Sequence, residues 1–292
     1  MSERVIRVPG SIGNLGPGFD TLGLAVALYL KVRVRRKIDD GRGRLVTHYA
    51  RPRPAGQDGI AHAFHAEPFR NTRPASLEID VASDIPERAG LGSSAAAAIA
   101  GLRLRALVDG PSSTDEILRA ACRIEHHPDN AAASLYGGLT SSTVSEDGIV
   151  TVARWTWPAS WKLVVATPDV TLSTEASRRA LPAAIPQRDV VFNLQRLALL
   201  LHAVEHRDAA KMAAALADRV HQPYREPLVP ALKRMLDLRH PDVLGVCLSG
   251  AGPSVVAIAR RHLPGVARAV SSAYRPDRVR CTIRVLNVHQ PR

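Results

Sequence analysis

The chain has 292 residues, 46% of them apolar, enough to bury a core across two domains of ordinary size. Its net charge of +12 at pH 7 invites a nucleic-acid partner, but the basic residues run along the whole chain, 34 arginines against five lysines, and aromatics for base stacking make up only 4%. No nucleic-acid-binding motif accompanies them, and no apolar stretch approaches the ~20 residues of a membrane span, so the expectation is no nucleic acid and no membrane.

Taken in chain order, the first half alternates strands and helices. Met1–Gly10 carries Glu3, Arg4 and Arg7 and alternates like a strand from the outset, unlike a targeting signal. Val5, Ile6 and Val8 open one strand, Val26–Val34 forms a second, and a glycine-rich segment joins them. Arg51–Asp58 is too dense in Pro and Gly for regular structure and reads as a loop. Leu77, Ile79 and Val81 alternate with polar neighbours as a half-buried strand. Helices are expected over Ser93–Leu107 and Thr114–Glu125, then strands over Val144–Trp155.

A domain boundary is expected near Trp157–Pro158, giving domains 1–157 and 158–292 of an α+β protein. Leu163–Thr167 is a short buried strand. Val190, Leu194, Leu197, Leu201 and Val204 recur at helical spacing and form one apolar face. Asp208 caps a further helix with Met212, Ala213 and Leu216 inward, and Pro223 and Pro227 bracket a loop, HQPYREP, before a helix near Val229–Leu238. Strands at Leu244–Leu248, Val255–Ala259 and Val279–Val285 complete the chain, with one helix before the last. Cys122, Cys247 and Cys281 show no CxxC spacing, so a reduced, cytoplasmic setting without zinc is expected.

Three glycine-containing segments carry the chemistry. In Ser11–Asp20, Gly16 and Gly18 around Pro17 force an irregular backbone that presents Asn14 and Asp20, residues that also serve ordinary turns. Pro86–Ala97, PERAGLGSSAAA, sets Gly90 and Gly92 before a helix that opens with Ser93 and Ser94, where free amides and the positive helix end suit an anion. The same pattern also fits a plain serine-capped helix, and the absence of GxxxxGK[ST] excludes a P-loop. Leu248–Ser254, LSGAGPS, is a tight turn between strands, weak evidence by itself.

In this order the three segments resemble the signature motifs of the GHMP kinase superfamily, and NLGPGFDTLGLAV is similar to its homoserine kinases; the likeness runs from about Arg4 to about Ile283. The resemblance implies an α+β, two-domain GHMP fold, with an N-terminal ribosomal protein S5 domain 2-like domain and a C-terminal ferredoxin-like domain. It implies ATP and Mg2+ as cofactors, L-homoserine as substrate and a homodimer. Pro86, Gly90, Leu91, Gly92, Ser93, Ser94, Ala95 and Ala96 would wrap the ATP phosphates, and Ser94 with Glu125 would hold the metal. Asn130, in a H-x-D-N segment with His127 and Asp129, would sit beside the substrate where mevalonate kinases carry an aspartate base. Catalysis would then rest on positioning and charge neutralisation. Thr174 and Arg178 match a T-x-x-x-R segment and Arg225 a second arginine, two guanidinium groups suited to an α-carboxylate, with Asp20 and Asn14 for the ammonium and hydroxyl. Gly13 stands where relatives carry alanine and Ala89 where a basic residue often stands, and Asp58-Gly59-Ile60 lacks the asparagine expected near the adenosine. The rival expectations are a GHMP kinase for another small alcohol and a catalytically silent GHMP-fold nucleic-acid binder.

Overall fold

The computed structural model describes residues 5–51 and 56–291. Residues 52–55 of the expected Arg51–Asp58 loop, and Glu3 and Arg4, lie outside the described residues. The first half contains β1 (Val5–Gly13), β2 (Leu22–Ile38), β3 (Leu45–Tyr49), α1 (Gly59–Phe64), β4 (Ser76–Ser83), α2 (Ser93–Asp109), α3 (Thr114–Glu125), α4 (Asp129–Tyr136), β5 (Leu139–Val144) and β6 (Val150–Trp155). The second contains β7 (Lys162–Pro168), α5 (Thr174–Arg179), α6 (Gln187–Glu205), α7 (Met212–Ala215), α8 (Gln222–Arg225), α9 (Leu232–Leu236), β8 (Val243–Leu248), β9 (Val255–Ala259), α10 (Leu263–Tyr274) and β10 (Cys281–Leu286).

Two sheets result. The first, in order β3-β4-β2-β5-β6 with β1 on the free side of β2, is antiparallel except for β3 against β4. β2 is long enough to hold β1 along one edge while β4 and β5 take opposite ends of the other. The end of the chain fills the gap between them: the Ala27 amide donates to the Asn287 carbonyl and the His289 amide to the Ala25 carbonyl. The second sheet, β10-β7-β9-β8, has the βαββαβ order of a ferredoxin-like unit. One apolar core runs through both halves, from Val8 and Leu24 to Trp157, Leu163 and Leu200, so the two sheets share a continuous interior.

Local chemistry explains the elements that position the site. α3 starts with a capping box, the Ser113 hydroxyl accepting from the Glu116 amide while the Glu116 carboxylate accepts from the Ser113 amide. α2 is rich in buried alanines, and Gly101 lets α1 approach so closely that a Cβ there would lie 2.4 Å from the Ile60 carbonyl oxygen.

Several expectations need correction. Val144–Trp155 is only the second half of a hairpin that begins at Leu139. HQPYREP is largely helical: α8 tolerates Pro223 in its first turn, where the missing N–H costs nothing. Asp208 accepts from the Ala210 amide in a turn before α7, and Ala213 is exposed while Ala215 is buried. The apolar stripe of α6 is buried only toward its end: Leu200 and Val204 are in the core, whereas Val190 and Leu194 are 41% and 60% exposed.

Candidate active site

The Ser11–Asp20 segment links β1 to β2 through a run of left-handed residues: Asn14, Leu15 and Gly16 have φ of 71°, 48° and 73°. The resulting loop turns the Asn14 side chain inward, where it is buried. Its Nδ2 donates to the Gly250 carbonyl (3.0 Å) and its Oδ1 accepts from the Asp20 amide (3.0 Å). Asp20 thus stands at the mouth of the loop, and both its oxygens accept from the Arg178 guanidinium at 2.9 Å. A pocket with two cations at one end and an anion at the other was the expectation. The structure instead closes Asp20 and Arg178 on each other.

The phosphate-loop candidate behaves as its glycines demand. Gly90 and Gly92 have φ of 73° and 70°, a conformation L side chains resist. They also lack space: a Cβ on Gly92 would lie 2.1 Å from Ser11 Oγ, and one on Gly90 2.3 Å from the Ser249 carbonyl oxygen. Leu91, Ala95 and Ala96 are buried behind the loop. α2 then begins at Ser93, leaving its first amides without helical partners. Ser94, exposed, donates through Oγ to Glu125 Oε1 at 2.7 Å across the end of α3. Burial lifts the Glu125 carboxyl above its ordinary value, and the Ser94 bond works against that rise.

His127, Asp129 and Asn130 follow immediately. Asp129, buried at the start of α4, accepts through Oδ1 from His127 Nδ1 (2.7 Å) and from the Asn130 amide (2.8 Å). For His127, burial lowers the proton affinity but the Asp129 bond and charge more than reverse it, so the ring holds its proton above the usual histidine range. Asn130 Oδ1 accepts from Ser11 Oγ (3.0 Å), so Ser11 joins the phosphate-loop candidate to this segment. The departure at position 13 has a steric cause in this chain: a Cβ on Gly13 would lie 2.6 Å from Asp129 Oδ2 and 2.9 Å from Asn130 Nδ2.

Leu248–Ser254 knits the pieces together. The Gly250 amide donates to the Gly13 carbonyl, and Ser249 Oγ donates to the Gly90 carbonyl (2.6 Å). The Gly250 carbonyl accepts from both Asn14 Nδ2 and Arg225 Nη1 (3.0 Å each). Arg225 is only 2% exposed, and burial, with the nearby Arg178 charge, pushes its pKa down to about 10, so it remains charged at neutral pH. Its Nε points at the Ser177 carbonyl (3.4 Å) on α5, the short helix that also carries Arg178. Thr174 is exposed at the start of that helix and makes no side-chain hydrogen bond among the described residues.

Residues that sequence reasoning passed over complete the cluster. Phe19 lies under both Arg178 and Arg225 and stacks on His221 (centroids 5.3 Å apart). Asn193 of α6 donates to Asp218 Oδ1 (2.7 Å), and Asp218 Oδ2 accepts from the amides of His221 and Gln222. Phe19 falls inside the Ser11–Asp20 segment and His221 and Gln222 inside HQPYREP, whereas Asn193 and Asp218 carried no signal. Asp58, at the expected adenosine position, has its carboxylate engaged by Tyr49 Oη and by the amides of Ile60 and Ala61, capping α1.

Comparison with known proteins decides the lineage. Residues 59–138 match the GHMP kinases N terminal domain and residues 200–276 the GHMP kinases C terminal domain. The homoserine kinase of Moorella thermoacetica is 36% identical, the match covering 97% of this chain and 96% of that protein. The chain belongs to the homoserine kinase family of the GHMP kinases. The homoserine kinase of Solibacter usitatus is 38% identical over 92% of this chain and 90% of its own length. Among solved structures, homoserine kinase from Cytophaga hutchinsonii superposes with a TM-score of 0.80 at 22% identity, covering 100% of this chain and 97% of that one. The Methanococcus jannaschii mevalonate kinase superposes with a TM-score of 0.69 at 13% identity, covering 99% of each chain. At those identities the likeness is one of fold, and the fold is that of the GHMP kinases.

Proposed function

We propose that this GHMP kinase transfers the γ-phosphoryl group of ATP to the side-chain hydroxyl of L-homoserine, giving O-phospho-L-homoserine for threonine synthesis. The observation that supports the reading is a buried, charged Arg225 bound to the Gly250 carbonyl, whose amide donates to Gly13 next to Asn130, with Arg178 paired to Asp20 and Ser11 joining Asn130 to the turn at Gly92. A small zwitterionic alcohol matches the first group, and a polyphosphate the second.

Arg178 and Arg225 would grip the α-carboxylate and Asp20 the α-ammonium, with Asn14 fixing the loop that carries Asp20. The Asn130 amide orients the acceptor hydroxyl toward the phosphate loop and takes up no proton, and rate comes from alignment and charge neutralisation. Thr174 belongs to the substrate set through its motif alone. The amides and flanking residues of Pro86–Ala96 would cradle the nucleotide. Ser94 Oγ and Glu125 Oε1 are hard oxygen donors 2.7 Å apart, the donor type magnesium selects. No three His, Cys, Asp or Glu side chains gather as a metal site among the described residues, so the remaining ligands fall to phosphate oxygens and water. When bound, magnesium screens the negative charge of the phosphates.

No helix among the described residues is long and apolar enough to cross a membrane. The proposal places the reaction in the cytoplasm, with a homodimer as the assembly and no nucleic-acid partner. The test is ADP formation by the purified protein with homoserine and with a panel of small alcohols. The expected result is magnesium-dependent turnover with homoserine foremost, its product a phosphate monoester by phosphorus NMR. Turnover with another alcohol and none with homoserine would overturn the substrate assignment.

A further inference from the structure

His221 lies between the two halves of the substrate cluster without touching solvent, its exposure being 0%. Its two ring nitrogens face opposite ways. Nε2 sits 2.8 Å from the Gly16 carbonyl and 3.5 Å from Asp218 Oδ2, both acceptors, so Nε2 carries the proton. Nδ1 is then a lone-pair acceptor, 3.2 Å from Arg225 Nη1, which can only donate. One neutral imidazole therefore ties the buried guanidinium to the loop that carries Asn14 and Asp20. Burial holds the ring neutral by lowering its proton affinity. The ring is clamped by Phe19 on its face and by Asp218, which fixes the backbone amides of His221 and Gln222. Arg225 follows one helical turn later, its amide donating to the His221 carbonyl (3.2 Å).

We infer that His221 is a positioning residue that sets the Arg225 guanidinium for the substrate carboxylate, an inference that rests on the homoserine reading above. With Nη1 shared between the Gly250 carbonyl and His221, and Nε at the Ser177 carbonyl, the guanidinium plane is fixed from three sides before substrate arrives. Preorganisation of this kind lowers the cost of forming a charge-assisted bond, so its loss appears in binding of the carboxylate and not in the phosphoryl-transfer step.

The experiment compares wild type, His221→Leu and His221→Gln with homoserine and with 3-amino-1-propanol, which lacks the carboxylate. His221→Leu removes both polar contacts at similar volume, whereas Gln can still donate to Gly16 and accept from Arg225. His221→Leu is expected to raise the homoserine KM about tenfold or more, the scale of one hydrogen bond to a charged group. Its kcat, its ATP KM and its kcat/KM for the amino alcohol should stay within about threefold of wild type, and His221→Gln should recover most of the homoserine KM. If His221→Leu does not fold, His221→Phe keeps the stack on Phe19 and carries the same expectation. Equal loss on both alcohols, or a rise in both substrates' KM together, would make His221 merely structural and overturn the inference. An unchanged homoserine KM would do the same. Equal use of the two alcohols by wild type would overturn the homoserine reading itself, and with it this inference.

Discussion

Glu125 is half-buried and carries a carboxyl that prefers its proton more than a solvated one does, because burial opposes the charge and Ser94 compensates only in part. Between the ordinary carboxylate value of 4.5 and this raised one, the native state binds more protons than the unfolded chain. Stability contributed by Glu125 is therefore lost as pH rises through that window. A residue that costs the fold something at neutral pH fits a metal ligand better than a structural one. Glu125→Gln keeps the Ser94 contact but removes the charge. It should slow turnover by about 10²-fold or more while homoserine binding stays within about threefold and the melting temperature at pH 7 does not fall. Near-normal turnover of that variant at ordinary magnesium would take Glu125 out of the site.

At the scale of elements, the start of α2 is the part on which most depends. Gly92 must be left-handed and must pass Ser11 at a distance no side chain allows. Gly92→Ala should cost about 3 kcal/mol or more from strain and overpacking together, lowering the melting temperature by roughly 5–10 °C, and should weaken ATP binding more than homoserine binding. An alanine variant with wild-type melting and ATP affinity would show that the loop relaxes freely. This helix was legible in the sequence, as were α3, β4, β7 and β9, because each carries a capping pattern, an alternation or a continuous apolar run. The helices α1, α4, α5 and α8 were not, since four to eight residues cannot hold a helix alone and their order comes from tertiary contacts, while α7 was expected but without its short length. Much the same division holds in the site. The glycine segments announced themselves by composition, and Arg178 and Arg225 by motif. Ser11 and His221 lie inside motifs that gave no hint of their roles, and Asn193 has no local signature, because each acts on a partner far along the chain, as Ser11 does on Asn130 and His221 on Gly16. The Asp20–Arg178 pairing was invisible for the same reason: two opposite charges 158 residues apart reveal nothing until the fold joins them.

For the molecule as a whole, the Gly250 region is where the halves meet. Its backbone binds Gly13 and Asn14 from one sheet's loops and Arg225 from the other's, and the Ser249 hydroxyl donates to the Gly90 carbonyl. Asn287 and His289, late in the chain, also tie the second half to β2 at Ala27 and Ala25. In the proposed site the substrate charges would meet groups already fixed, apart from the Asp20–Arg178 contact, which a zwitterion would open. Opening that exposed pair costs little, on the order of 1 kcal/mol or less, and a ligand with both charges replaces each partner while one lacking its carboxylate leaves the buried Arg225 unanswered. The measurement that tests this most directly is the ratio of kcat/KM for homoserine to that for 3-amino-1-propanol on the wild-type protein. A ratio on the order of 10³ or more is expected, because the amino alcohol gives the buried Arg225 no carboxylate and forgoes the bonds that Arg178 would add. A ratio near one would contradict the carboxylate clamp and with it the assignment of homoserine as the substrate.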